Sequence, residues 1–220
     1  MPREPSGSDA GVSRAAFVYT HLRNGILSGL YRPGQRIREV HLAETLQTSR
    51  TPVREAIRRL EADRLIEDVQ GRGLAIVALD EQRVRELYQF RAGLEASAAE
   101  ITAGQVSEID LANLREALED MRAAADNPVV AARLNRRFHQ AIYHAARNSF
   151  LANAIATMEV FMALLPGTTY QTPGRMSEVL GEHDAILDAI ARRAPAEAAA
   201  AARAHIQQAG RFRLRMMFSA

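Results

Sequence analysis

The sequence predicts a mainly α-helical protein in two parts: an N-terminal winged helix-turn-helix followed by a C-terminal antiparallel all-α helical bundle. Two observations carry this expectation. The segment from Pro33 to Val77 reads continuously as turn, short helix, tight turn, second helix and β-hairpin. Beyond Leu79 the two-residue alternation of strands is lost. Helical periodicity runs on, punctuated at Gly104, Asn127-Pro128, Pro166-Gly167, Pro173-Gly174 and Pro195. The layout expected is a disordered Pro/Ser/Gly-rich tail over 1–10, a winged unit over 11–79 and a helical unit over 80–220.

Each element has a local reason. Val18, Leu22 and Ile26 recur four apart and predict a helix that Pro33-Gly34 must follow. Leu42, Ala43 and Leu46 predict a helix of about two turns, with a turn at Gln47–Ser49. Thr51 is the expected N-cap of the next helix, because Pro52 then falls at the first helical position, where a missing N–H costs nothing. Val53, Ala56, Ile57 and Leu60 form its buried face, which turns Arg50, Arg54, Arg58 and Glu61 outward. After Leu65 the period becomes that of strands, over Ile66–Val69 and Leu74–Ala78, joined by Gln70-Gly71-Arg72-Gly73. Further helices are expected near 80–103, 107–125, 128–147, 149–165, 175–193 and 196–217. The alanine-rich stretch from Ala194 to Ala204 fits the last of these, since alanine is the best helix former.

Composition excludes more than it assigns. The chain has no cysteine, so disulfides, thiolate metal sites and cysteine nucleophiles are ruled out. No signal peptide or long apolar run is present, and the expectation is a cytoplasmic protein without a membrane partner. The formal net charge is +2, but residues 1–79 hold 12 arginines against 9 acids, whereas residues 80–220 hold 16 against 17. The positive excess therefore sits on the winged unit.

Arg50, Arg54 and Arg58 form a basic face that could simply be solvated. At the leading end of a second helix, however, guanidinium forks also suit phosphate oxygens and the O6/N7 edge of guanine in a major groove. The strings ILSGLYRPGQRI, LAETL, SRTPVREAIRRLE and VQGRGLAIV resemble the GntR family of bacterial transcription regulators. That resemblance implies double-stranded DNA as partner. Arg50, Thr51 and Arg54 would be base and phosphate readers, Arg58 a backbone contact, and Gly71-Arg72-Gly73 a wing touching the minor groove.

In the helical part, Asn135 and His139 lie four apart on one helix face with Ile142, His183 shares a stripe with Ile186 and Ile190, and His205 lies with Ala201, Ala202 and Phe212. Three inward histidines are either satisfied core residues or, if they converge, ligands of a divalent metal such as zinc or nickel. The strings LYQFRAGLEASAAEITA, NRRFHQAIYHAARN and EHDAILDAIARRAPAEAAAAARAHI resemble the FCD effector domain of the FadR subfamily. By that resemblance Asn135, His139, His183 and His205 occupy the metal-ligand positions, with Asn135 standing where an aspartate is usual. The resemblance also implies a small carboxylate effector near the metal, for which Arg91 is the candidate anchor; an Arg91–Glu95 pair within the helix is the alternative. His21, His41 and His144 are assigned no chemistry. Tyr170 is a pocket cap or a plain connector residue, and Met158 and Phe161 are pocket or core lining.

The expected function is a ligand-responsive regulator, a repressor, that dimerises through its helical part and binds an inverted repeat. A metal-dependent hydrolase using the three histidines is a rival, although no separate base or nucleophile motif accompanies them. An architectural DNA-binding protein is another, but it would need no buried histidine cluster.

Overall fold

The structure is a computed structural model that describes residues 7–71 and 73–218. In chain order it contains α1 (Gly7–Leu27), α2 (Glu39–Thr45), α3 (Arg50–Ala62), β1 (Ile66–Val69), β2 (Gly73–Ile76), α4 (Glu81–Gln105), α5 (Glu108–Ala123), α6 (Pro128–Ala145), α7 (Ser149–Met162), α8 (Arg175–Ala191) and α9 (Pro195–Phe218). A 3₁₀ turn at Thr169–Gln171 precedes α8. Two compact units are formed: one takes in the chain up to Leu79 together with Val160–Pro166, the other Asp80–Glu159 and the chain from Gly167 onward.

The first unit closes around Val18, Leu22 and Ile26 of α1, Leu42 of α2, the Val53/Ala56/Ile57/Leu60 face of α3 and Ile66 and Ile76 of the hairpin. Val160 and Leu164 belong to the same core, which no local pattern in 1–79 announces. β1 and β2 pair antiparallel from Ile66↔Ile76 to Val69↔Gly73. Gly71 and Gly73 turn the chain with φ of 74° and 72°, a conformation glycine adopts without a steric penalty. β2 therefore begins and ends earlier than the hydrophobic alternation suggests, because Gly73 itself pairs with Val69.

Two expectations are corrected at the helix starts. α3 begins at Arg50 with Ser49 in the extended N-cap position, making no side-chain cap bond, so Thr51 is already helical and is not the cap. Pro52 still lies within the first turn, where N–H groups have no intrahelical acceptor. The expected tail over 1–10 falls partly outside the described residues, and Gly7–Ala10 are helical as the first residues of α1.

In the second unit α9 packs chiefly along α4, α5 along α6, and α8 along α9. Small buried residues allow the first of these approaches: Ala92, Ala96, Ala99 and Ala103 on α4, Ala198 and Ala202 on α9. Gly210 continues that surface, since a Cβ there would stand 3.1 Å from the Tyr88 side chain. Caps fix where the helices start. Asp80 accepts from Arg83 N, Asn127 accepts from Val130 N ahead of Pro128, and Ser107 and Asp110 form a reciprocal capping box at α5. Asp110 Oδ2 also accepts from Arg147 Nη2 at 2.7 Å.

Ser107→Ala should destabilise the chain by about 1 kcal/mol, the usual worth of an N-cap side chain. Urea unfolding followed by circular dichroism measures it, with an unchanged midpoint as the contrary result.

Candidate metal centre and DNA-reading face

α6 carries Asn135, His139 and Tyr143 at successive turns, α8 carries His183, and α9 carries His205. The three histidines are buried, and one ring nitrogen from each lies within 4.8 Å of the others. Their rings are in mutual contact, with centroids 5.3 Å apart for His139 and His183, 5.2 Å for His139 and His205, and 4.6 Å for His183 and His205. Phe138 stacks on His183 at 4.5 Å and closes one side.

Two carboxylates aim these rings. His139 Nδ1–H donates to Glu95 Oε2 at 2.9 Å, and His205 Nδ1–H donates to Glu182 Oε2 at 2.6 Å. Each carboxylate is held in turn by an arginine. Arg91 Nε donates to Glu95 Oε1 at 3.1 Å, where Tyr143 also donates at 2.7 Å. Arg175, fully buried at the start of α8, grips Glu182 with both terminal nitrogens at 2.6 and 2.8 Å. The site is thus flanked by two relays of the same chemistry, Arg91–Glu95–His139 and Arg175–Glu182–His205. With Nδ1 engaged, each of these imidazoles has Nε2 left as its ligand nitrogen, the arrangement by which carboxylates orient metal-binding histidines.

What is unpaired is as informative. Asn135 Oδ1, His139 Nε2 and both ring nitrogens of His183 are buried without a hydrogen-bond partner. Each such atom costs about 1–3 kcal/mol if nothing reaches it. A divalent cation that accepts lone pairs from three neutral imidazoles and an amide oxygen matches this donor set. Among the described residues, His139, His183 and His205 form the cluster of His, Cys, Asp and Glu close enough to hold a metal ion.

Electrostatics favours the neutral ring at His183 and His205. Burial, reinforced by the neighbouring histidines, pushes His183 well below the usual imidazole value, and burial with His139 and Arg91 does the same to His205. Burial alone would raise Glu95, but His139 and Arg91 hold it well below the usual carboxylate range. Tyr143 is pushed well above its ordinary value by burial and by Glu95, and so remains a donor.

His139, His183 and His205 come together, and Asn135 stands one turn before His139 with its oxygen buried. Arg91 forms the pair with Glu95 and is mostly buried. Tyr170 lies on the 3₁₀ turn, where burial raises its pKa. Sequence reasoning missed Glu182 and Arg175, and treated Glu95 only as a helix partner of Arg91. The residue before His183 is the signal that was available for Glu182; the contact from Glu95 to His139 spans 44 positions and leaves no local pattern. On the winged unit Arg50, Thr51, Arg54 and Arg58 are exposed on α3, and Gly71 at the hairpin tip is exposed. Arg72 lies outside the described residues. A further residue appears at this face: Glu39 of α2 accepts from Arg54 Nε at 2.8 Å.

Residues 14–76 match the family described as bacterial regulatory proteins, gntR family, and residues 86–208 match the FCD domain, more than half of the chain. The chain belongs to the GntR family and carries an FCD domain. This GntR protein is 30% identical over 178 residues to the HTH-type transcriptional regulator YdhC of Bacillus subtilis, covering 80% of each chain. It is 29% identical over 180 residues to the HTH-type transcriptional regulator McbR of Escherichia coli, covering 81% of this chain and 80% of that one. The solved structure of E. coli McbR/YncC superposes with a TM-score of 0.69 at 25% identity, over 89% of this chain and 94% of the other. A GntR regulator from Rhodococcus shares the fold, with a TM-score of 0.68 at 24% identity over 92% and 98% of the two chains. The GntR protein is accordingly a transcription regulator with a helix-turn-helix DNA-binding domain and an FCD effector domain, and these families are regulators rather than enzymes. Among the described residues no helix is long and apolar enough to cross a membrane.

The two shifted histidines give a pH dependence of defined sign. Their folded-state pKa lies below the unfolded value of 6.5, so the unfolded chain takes up protons first as pH falls. Stability is complete above about pH 6.5 and declines below it, by up to about 1.4 kcal/mol per pH unit for each group. Melting of chelator-treated protein between pH 7 and pH 5.5 should show this decline, with a shallower slope in His183→Leu. A flat wild-type profile would contradict neutral burial.

Proposed function

We propose that this regulator is a cytoplasmic repressor of the FadR-like type that binds a short inverted-repeat operator as a homodimer and is controlled by a small carboxylate effector beside a divalent metal. The observation that carries the effector half is the set of buried, unpaired ligand atoms on Asn135, His139 and His183, with two carboxylates aiming the flanking rings. Zinc suits three imidazoles and an oxygen donor, and nickel is the second candidate. When bound, the metal supplies a Lewis-acidic point for one effector oxygen.

The chain's own residues account for the rest of effector recognition. Arg91 spends its Nε on Glu95, so its terminal nitrogens form the fork offered to the effector carboxylate. Competition for Arg91 would loosen its hold on Glu95 and hence on His139, which links effector binding to the α4–α6 contact. An effector shifts the population of DNA-binding states only by its difference in affinity for them. In the winged unit, Arg50, Thr51 and Arg54 serve as operator contacts in the major groove, Arg58 as a backbone contact, and Gly71-Arg72-Gly73 as the wing. Two-fold symmetry in the protein then matches an inverted repeat in the DNA.

The test pairs metal content with response. Wild-type chain purified without chelator should carry one divalent ion per chain and should leave its operator when a screen of small organic acids reaches the effector. His183→Ala should lower both metal content and effector response, by weakening metal binding, while operator binding persists. Asn135→Asp should bind the metal more tightly by adding an anionic donor. Full effector response from metal-free wild-type protein would overturn the proposal.

A further inference from the structure

Glu39 is the first residue of α2, yet its carboxylate serves α3. Its Oε2 accepts from Arg54 Nε at 2.8 Å and stands 3.6 Å from Arg50 Nη2. We propose that Glu39 is a positioning residue for operator specificity: it fixes the guanidinium of Arg54 with its terminal nitrogens free for a base, and it restrains Arg50 and Arg54 from indiscriminate phosphate binding. The inference rests on the reading of these arginines as operator contacts.

The geometry supports both halves. Arg54 and Arg50 have half-exposed side chains, 53% and 56%, and long exposed arginines otherwise sample many rotamers. Glu39 is less exposed, at 24%, and is anchored on the first turn of a helix whose other face is core. Using Nε–H on Glu39 leaves Arg54 the end-on pair of terminal nitrogens, the fork that matches O6 and N7 of guanine. Ordering the side chain before DNA arrives removes a cost from the specific complex, which is preorganisation. The hydrogen bond from Arg54 holds Glu39 below its usual pKa, so the carboxylate is charged across the neutral range.

The second half is electrostatic. Two guanidiniums and one carboxylate leave a single net positive charge on this patch. The carboxylate repels an incoming phosphate anion more strongly than it repels the neutral acceptor edge of a base. Glu39 therefore weakens non-specific binding, which depends on phosphate neutralisation, and supports specific binding, which depends on a fixed fork. A purely structural role at the start of α2, through the helix dipole, predicts neither effect.

The test uses the full-length chain with its operator, a panel of single base-pair variants and an unrelated duplex, across a salt series. Arg54→Ala identifies the base pair at which discrimination is lost, where a bidentate contact gives roughly 5- to 150-fold preference. Glu39→Ala should reduce preference at that same pair by about three-fold or more, and should steepen the salt dependence of unrelated-duplex binding by about one unit. Glu39→Gln, which keeps an acceptor but not the charge, should restore preference at that pair while retaining the steeper salt dependence. Adding Glu39→Ala to Arg54→Ala should cause no further loss there. Equal thermal melting of the Ala and Gln variants excludes a folding defect as the cause, and if Ala melts lower, the Gln variant alone carries the test through its salt slope. Wild-type preference at the Arg54-dependent pair in Glu39→Ala, or an unchanged salt slope in Glu39→Gln, overturns the proposal. If Arg54→Ala itself alters no base preference, the operator-contact reading fails first, and that outcome is distinct.

Discussion

Three imidazole rings and one amide oxygen are withdrawn from water at the centre of the FCD unit, and several of their polar atoms meet no partner within the protein. Four such atoms at about 1–3 kcal/mol each are comparable with the whole net stability of a domain, about 5–15 kcal/mol. A core built only for packing would place aliphatic side chains there, as it does at Ile142 and Ile186 one turn away and at Ile190 two turns away. His139 and His205 are held in place by the buried Glu95 and the partly exposed Glu182, the latter gripped by the buried Arg175, charged groups that are costly to remove from water. Such an arrangement makes sense as a preorganised ligand set: the relays fix ring orientation and tautomer, and the remaining nitrogens converge.

This constraint explains features well away from the rings. Arg175 is wholly buried where it pairs with both oxygens of Glu182, one of which also accepts from His205, and its guanidinium packs 4.8 Å from the Phe212 ring centroid. Tyr143 sits one turn beyond His139 and donates to the oxygen of Glu95 that Arg91 also uses, leaving Oε2 for the imidazole. The small-residue contact between α4 and α9 brings Glu95 and His205 into one narrow layer, since both lie on helices whose facing surfaces are largely alanine and glycine. The winged unit shows a smaller version of the same logic, with Glu39 setting the pose of Arg54.

The fold was largely legible in the sequence because its signals are local: the Val53/Ala56/Ile57/Leu60 stripe, the Gly71/Gly73 turn and the Asn127-Pro128 helix start each act within a few residues. The convergence of His139, His183 and His205 was legible as a possibility from three apolar stripes, and the assignment of Asn135 to the same set came from family resemblance. What escaped is non-local. Glu95 to His139 spans 44 positions, Glu182 to His205 spans 23, and Glu39 to Arg54 spans 15 with a turn between. Carboxylates are ordinarily surface residues, and nothing in their spacing marks those that face inward. The membership of Val160 and Leu164 in the first unit's core escaped for the same reason, and Thr51 lost the cap position because an extended Ser49 lets the helix begin two residues earlier.

His139, His183 and His205 are read as metal ligands, His139 and His205 oriented by the two arginine–carboxylate relays and His183 by its stacking on Phe138. X-ray absorption at the zinc edge, on chelated full-length protein reloaded with one equivalent of zinc at neutral pH, tests this reading most directly. The expected spectrum shows a shell of nitrogen and oxygen donors with the outer-shell signature of three imidazoles, reduced to two in the weaker-binding His183→Ala. Failure to take up one tight equivalent, or a spectrum with the same imidazole count in wild type and His183→Ala, would contradict it.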